Sequence, residues 1–134
     1  MARLHSRSRG STLVEMAFVT TVFLIMIAGI LECGIIGFVS SSVSFASRRA
    51  ARYASLSGSA SGHPAAVADI QAEARASIVD FDPQALTVAV TWTPDNKPGS
   101  TVQVQVSYQF RPALLPLSPG VLTLASTSRQ VIVQ

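Results

Sequence analysis

The chain has 134 residues, 49% apolar and only 13% charged, with a mean hydropathy of +0.42 and a formal net charge of +3. That balance describes one small domain plus a segment suited to lipid. It excludes a nucleic-acid footprint: six arginines (Arg3, Arg7, Arg9, Arg48, Arg49, Arg52) flank the apolar stretch, and beyond His63 five acidic side chains outnumber four basic ones, with no basic face interleaved with aromatics.

Residues 1–10 read as a basic leader, followed by Ser11-Thr12-Leu13-Val14-Glu15 and then apolar sequence. A charge at the centre of a membrane span costs about 2.5 to 3.5 kcal/mol on insertion scales, so Glu15 at the edge of such a segment needs a partner or an exit. If a peptidase cuts between Gly10 and Ser11, Ser11 acquires a free α-amine, mostly protonated at neutral pH, which can pair with Glu15 of a neighbouring chain. The plainer reading of the same residues is a capping box, Thr12-x-x-Glu15, at a helix start.

Met16 to Val39 is an apolar run interrupted only by Glu32. Its length is about 24 residues, which at ~1.5 Å per residue spans about 36 Å, enough for one crossing. A secretory signal peptide with a small-x-small site at Ser44-Phe45-Ala46 competes with this reading. The apolar core exceeds the usual ~7 to 15 residues of such a peptide and contains an acid, which weighs against it. Val43 to Tyr53 contains no Gly or Pro, so the helix is expected to continue from about Thr12 to Ala54. Residues 11–54 then form a membrane and stalk helix about 65 Å long, twice a hydrocarbon core of about 30 Å.

Small residues recur every fourth position at Gly29, Cys33, Gly37 and Ser41, and again at Ala46, Ala50 and Ala54, giving narrow stripes where another helix can approach. The alternative is that small residues are simply common in membrane helices. The lone Cys33 has no intrachain partner and says nothing about redox compartment. Glu32 stands about 25 Å above Glu15, near the outer interface. There it is either solvated by headgroup water or accepts a charge from an arginine of a partner subunit. Arg48, Arg49 and Arg52 read as membrane-edge anchors in contact with lipid headgroups, with a partner contact as the second reading.

Residues 55–63 (SLSGSASGH) form a Ser/Gly linker, and residues 64–134 a small head. Pro64 suits a first helical position, and Val67, Ile70, Ala74 and Ile78 share one face of a helix reaching about Val79. A strand is expected over 85–93 and a turn over 94–99. From Thr101 to Phe110, Val102, Val104, Val106, Tyr108 and Phe110 alternate strictly with Gln103, Gln105, Ser107 and Gln109, as in a strand with one buried face. After a Pro-rich excursion from Arg111 to Gly120, Val121 to Val133 reads as one long strand or a hairpin pivoting near Ser126 to Ser128. The sum is an α+β fold: a long N-terminal helix and a head with one amphipathic helix on a three- to four-stranded antiparallel sheet. Trp92 reads as a sheet packing residue.

Catalysis has little support. His5 and His63 are isolated, and there is no Cys/His ligand set, Gly-rich phosphate loop or nucleophile motif. Asp80 and Asp82, beside Pro83, read as a helix-ending turn rather than an acid/base pair. No catalytic residue, cofactor or metal is therefore expected.

Gly10-Ser11 with Leu13-Val14-Glu15 ahead of an apolar helix resembles the processing motif of type IV pilin-like proteins. Val14-Glu15-Met16-Ala17-Phe18, Gly29-Ile30-Leu31-Glu32-Cys33-Gly34 and Ala50-Ala51-Arg52-Tyr53-Ala54 extend the likeness to the TadE-like family, minor pilins or pseudopilins of tight-adherence (Flp-type) systems in bacteria. The specific part covers about a third of the chain, and Tyr108-x-Phe110-Arg111-Pro112 adds a looser likeness. Thr21 stands where family members often carry a proline. The resemblance implies cleavage after Gly10 by a prepilin peptidase and residence in the inner membrane with the N-terminus cytoplasmic and the head periplasmic. It also implies partnership with other pilin subunits and the pilus assembly platform, in surface adhesion. The runner-up is a membrane-anchored surface-binding module that never enters a filament.

Overall fold

The computed structural model describes residues 6–78, 82–112 and 120–133. Arg3, His5, Asp80 and the centre of the Pro-rich excursion lie outside these residues, as do the side chains of Arg7 and Arg9. Helix α1, Ser6–Leu56, takes up 51 residues without a break, about 76 Å of rise. It contains no proline. Two of its hydroxyls are absorbed locally: Thr21 donates to the Ala17 carbonyl at 2.8 Å and Ser42 to that of Phe38 at 3.0 Å, which satisfies these polar groups on an otherwise apolar helix. The helix begins six residues before the expected Thr12 and runs two past Ala54, because nothing between Ser6 and Thr12 breaks it.

The segment after Leu56 is tied down rather than free. Ser59 N–H donates to the Asn96 carbonyl, Ala65 N–H to that of Ser57 and Val133 N–H to that of Ser55, each at 2.9 Å. Helix α2, Val67–Ala76, is shorter than the expected 64–79. Pro64 precedes it by three residues, because Ala66 is still extended (φ −73°, ψ 161°) and α2 starts only where the Asp69 carboxylate accepts the Ala66 N–H at 2.9 Å. Ser77 closes the other end, its hydroxyl donating to the Glu73 carbonyl at 2.8 Å.

A 3₁₀ turn, Pro83–Ala85, leads into β1, Leu86–Thr93; β2, Thr101–Phe110, and β3, Leu122–Val131, complete a three-stranded antiparallel sheet in the order β1-β2-β3. The β1–β2 connection reverses the chain with Gly99 at φ +90°, a left-handed conformation that suits glycine. Strand β2 matches its expected range, and its three valines, Val102, Val104 and Val106, are fully buried. They face Trp92, Val90 and Val88 on one side and Gln130, Ser128 and Ser126 on the other. Trp92 packs against this core, half-buried. The last strand is single, with no hairpin at Ser126 to Ser128; those serines are inward positions of an unbroken ladder. The architecture is α+β and pilin-like: a long apolar helix, a short second helix and a three-stranded sheet packed together.

The core lies between the sheet and the upper half of α1. Val39, Val43, Ala46, Ala50 and Ala54, on successive turns, are at most 2% exposed and join Ile70 and Ala74 of α2 and the β2 valines. The alanine stripe thus faces the chain's own head rather than another helix. Ser47 Oγ meets Ser126 Oγ at 3.1 Å, which satisfies two hydroxyls where helix and strand approach closely.

Candidate functional site

Below the head, α1 stands uncovered. Every large apolar side chain from Leu13 to Leu31 is exposed, over an axial length of about 28 Å. Among the described residues, this is the one helix long and apolar enough to cross a membrane. Exposure of so much contiguous apolar surface is incompatible with water alone.

Gly10 and Ser11 sit within the helix, both exposed, and a Cβ on Gly10 would meet nothing within 4 Å. Glu15 is exposed among apolar neighbours, and among the described residues no cation pairs with it. Because α1 begins at Ser6, Thr12 and Glu15 are interior positions of the helix rather than its first turn, where the alternative capping-box reading would put them.

Cys33 lies eighteen residues, five turns, from Glu15 and hence directly above it on the same face, with Gly29 and Gly37 one turn to either side of Cys33. Cys33 and Gly37 are exposed and Gly29 is half-buried. A Cβ on Gly37 would meet nothing within 4 Å, so the chain itself does not use that gap.

Glu32 belongs to a different face, the one that carries Val39, Val43 and Ala50. It is only 7% exposed, buried by the chain itself rather than open to headgroup water. The three arginines separate as well. Arg49 Nε donates to Glu73 Oε1 at 2.6 Å, binding α1 to α2, whereas Arg48 and Arg52 are exposed and form no ion pair among the described residues. The Arg49–Glu73 pair joins residues 24 apart, and only the docking of α2 against α1 brings them together. Its local signal was an acid on the outer face of an amphipathic helix, which does not by itself name a partner.

At the far end of the head, the β1–β2 turn holds a perturbed carboxylate, that of Asp95. Asp95 accepts the Ser100 hydroxyl at 2.6 Å and the Lys97 N–H at 3.2 Å, with the Lys97 ammonium at 3.5 Å. These contacts, the Ser100 hydrogen bond foremost, hold its carboxyl below the usual range. A cleft of about 430 Å³ opens beside Tyr108, Phe110 and Arg111, with Asp82 on its wall. The Asp82 carboxylate is engaged by the Gln84 N–H at 2.9 Å, as in a turn. Among the described residues, no three His, Cys, Asp or Glu side chains converge as a metal site would require. The chemistry on offer is that of an apolar helix carrying one exposed carboxylate, beneath a head locked to the same helix.

A family model described as TadE-like protein matches residues 10–52. The matched segment runs from the first exposed helical glycine to the last arginine of α1 and leaves the head outside it. Neither the comparison with curated proteins nor that with solved structures found a match.

Proposed function

Because the chain is TadE-like over residues 10–52, we propose that it is a minor pilin or pseudopilin, processed by a prepilin peptidase and taking part in assembly of a tight-adherence pilus. TadE-like proteins are pilus assembly proteins rather than known enzymes, so the role is one of packing and placement. The observation that carries the reading is the division of α1. About 28 Å of exposed apolar helix, close to the thickness of a hydrocarbon core, leads directly into a half covered by the head. In this reading residues 13–31 cross the inner membrane, the basic leader stays cytoplasmic and the head stands in the periplasm.

Processing then changes the charge at the lower edge. Cleavage between Gly10 and Ser11 removes Arg3, Arg7 and Arg9 and creates an ammonium at Ser11, four residues from Glu15. The new amine pairs with Glu15 of an adjacent subunit, so two groups that are costly in lipid neutralise each other only when subunits meet. Cys33, Gly29 and Gly37 are small residues above Glu15 on the same face, and the open space at Gly37 gives a neighbouring helix room to approach. The prepilin peptidase, the other pilin subunits, the assembly platform and the bilayer are the partners this requires.

The position of the core weighs against a cleaved secretory signal. A cut after Ala46 would sever α1 within its packed seam and strip Val39 and Val43 from the core.

Glu15→Gln tests the charge. Gln keeps hydrogen-bonding capacity but cannot pair with an ammonium, so the variant is expected to insert and fold as the parent does while its incorporation into pili or the assembly complex falls by about tenfold or more. Wild-type incorporation, measured by co-isolation with the assembled complex, would refute the pairing.

A further inference from the structure

The cleft of about 430 Å³ beside Tyr108 and Phe110 carries an acid and a base, Asp82 and Arg111, on the same lining. Both are exposed, and neither forms an ion pair with the other or with any described residue. The Asp82 carboxylate accepts the Gln84 N–H through Oδ1 alone, so its second oxygen remains an acceptor, and Arg111 brings the donors of its guanidinium. The volume is that of a small-ligand site, and the two half-buried rings give it an apolar wall.

Strand β3 fixes where this cleft stands along α1. Ser126 meets Ser47 through their hydroxyls, and Val133 N–H reaches the Ser55 carbonyl. Between these contacts the strand climbs about 12 Å along the helix axis. Continued backward at the same slope, its start at Leu122, which pairs with Phe110, lies about 7 Å below Ser47. The head covers Val39 and Val43 to 2% exposure, so hydrocarbon cannot extend that far, and a core of about 20 residues starting after Glu15 ends near Ile35. On that placement the Phe110 end of the sheet stands about 11 Å beyond the hydrocarbon, and a side chain as long as that of Arg111 covers the remaining distance to a headgroup layer about 5 to 8 Å thick. Val121 and Leu122, exposed at the same end, add an apolar edge that suits the bilayer interface better than open water.

We propose that this cleft holds the headgroup of a zwitterionic phospholipid, with Arg111 on the phosphate and Asp82 on the ammonium. The inference rests on the reading that residues 13–31 cross a bilayer. Charge selects the occupant. Arg111 alone would favour any phosphate, but the Asp82 carboxylate on the same lining repels a headgroup that is only negative. A headgroup carrying one charge of each sign satisfies both side chains, and the rings of Tyr108 and Phe110 suit the carbon link between its charges. The apolar edge at Val121 and Leu122 selects a lipid over the same headgroup free in water, because only a lipid places glycerol and acyl carbon against it. The head is thereby seated on the membrane surface at the sheet end nearest the bilayer, in addition to its hold on α1.

The test reconstitutes the full chain in phosphatidylglycerol vesicles doped with one of three photo-crosslinking lipids. These are phosphatidylethanolamine, phosphatidylcholine and phosphatidylglycerol, each with a diazirine at the headgroup end of one acyl chain, and adducts are mapped by mass spectrometry. Residues 108–111 and 121–123 are expected to be labelled about tenfold more by each zwitterionic lipid than by phosphatidylglycerol. Arg111→Gln lowers the zwitterionic label about tenfold, whereas Asp82→Asn, which can still accept the Gln84 N–H, raises the phosphatidylglycerol label to match it. Label at these residues that is the same for all three lipids, strongest for phosphatidylglycerol, removed by soluble phosphoethanolamine, or unchanged in variants that melt as the parent does would overturn the proposal. Residues 13–31 of the same samples are read alongside. Label there without label on the head defeats this inference alone, whereas no label on 13–31 defeats the membrane reading beneath it.

Discussion

Asp95 shows how a single side chain sets a pH limit on the head. Its carboxyl is held low, chiefly by the Ser100 hydroxyl and then by the Lys97 N–H and ammonium. A depressed folded-state pKa contributes stability that is fully present above the unfolded value of about 3.9 and is lost as pH falls through the lower folded value. The melting temperature of Asp95→Asn is therefore expected to lie below that of the parent at neutral pH, with the gap closing in acid below about pH 4. A gap independent of pH would show that the turn does not rely on the charge. Arg49 and Glu73 make a different kind of contribution. The pair is close, at 2.6 Å, but its side chains are 55% and 27% exposed, so a double-mutant cycle by denaturant unfolding should give a coupling of about 0.2 to 1 kcal/mol. Glu15 was visible in the sequence because its context is local, a charge at the start of an apolar run. The burial of Glu32 was not, since it depends on what folds back over α1.

At the scale of elements, β2 was legible because its valines alternate strictly and all three are buried. Strand β3 was ambiguous for a physical reason: two of its inward positions are Ser126 and Ser128, small polar residues that let the sheet approach α1 closely. A buried face built from serine carries no period-two apolar signal, so a hairpin and a strand look alike in the sequence. The alanines of α1 misled in the opposite sense. A small-residue stripe was readable, but whether its occupant is another helix or the chain's own sheet is a tertiary fact. The seam predicts the effect of filling it. Ala50, fully buried, has no room for more atoms, so Ala50→Leu should destabilise the head by about 1 to 3 kcal/mol. Ala17→Leu, on the exposed lower half, should leave head unfolding unchanged. Thermal melts of the two variants in detergent separate them, and equal melts would mean the head does not depend on a tight fit to α1.

For the whole molecule, the core draws residues from both sides of the linker. Val39 and Val43 belong to the head's core although they lie well before it in sequence, and each buried valine is worth about 1.5 to 3 kcal/mol against a total stability of about 5 to 15 kcal/mol for a domain. A fragment of residues 36–134 is expected to melt cooperatively, and one of residues 48–134 to lose that transition; cooperative melting of the shorter fragment by calorimetry would show that the head stands alone. The overall plan of a long apolar N-terminal helix and an α+β head was readable from periodicity and composition, while the way the head clasps that helix was not. The processing account turns on the junction of Gly10 and Ser11, where the TadE-like match begins. Intact-mass analysis and N-terminal sequencing of the protein extracted from membranes test it most directly. A mature chain beginning at Ser11 is the predicted result, and a chain beginning at Met1 or Ala2, or near Ser47, would contradict it.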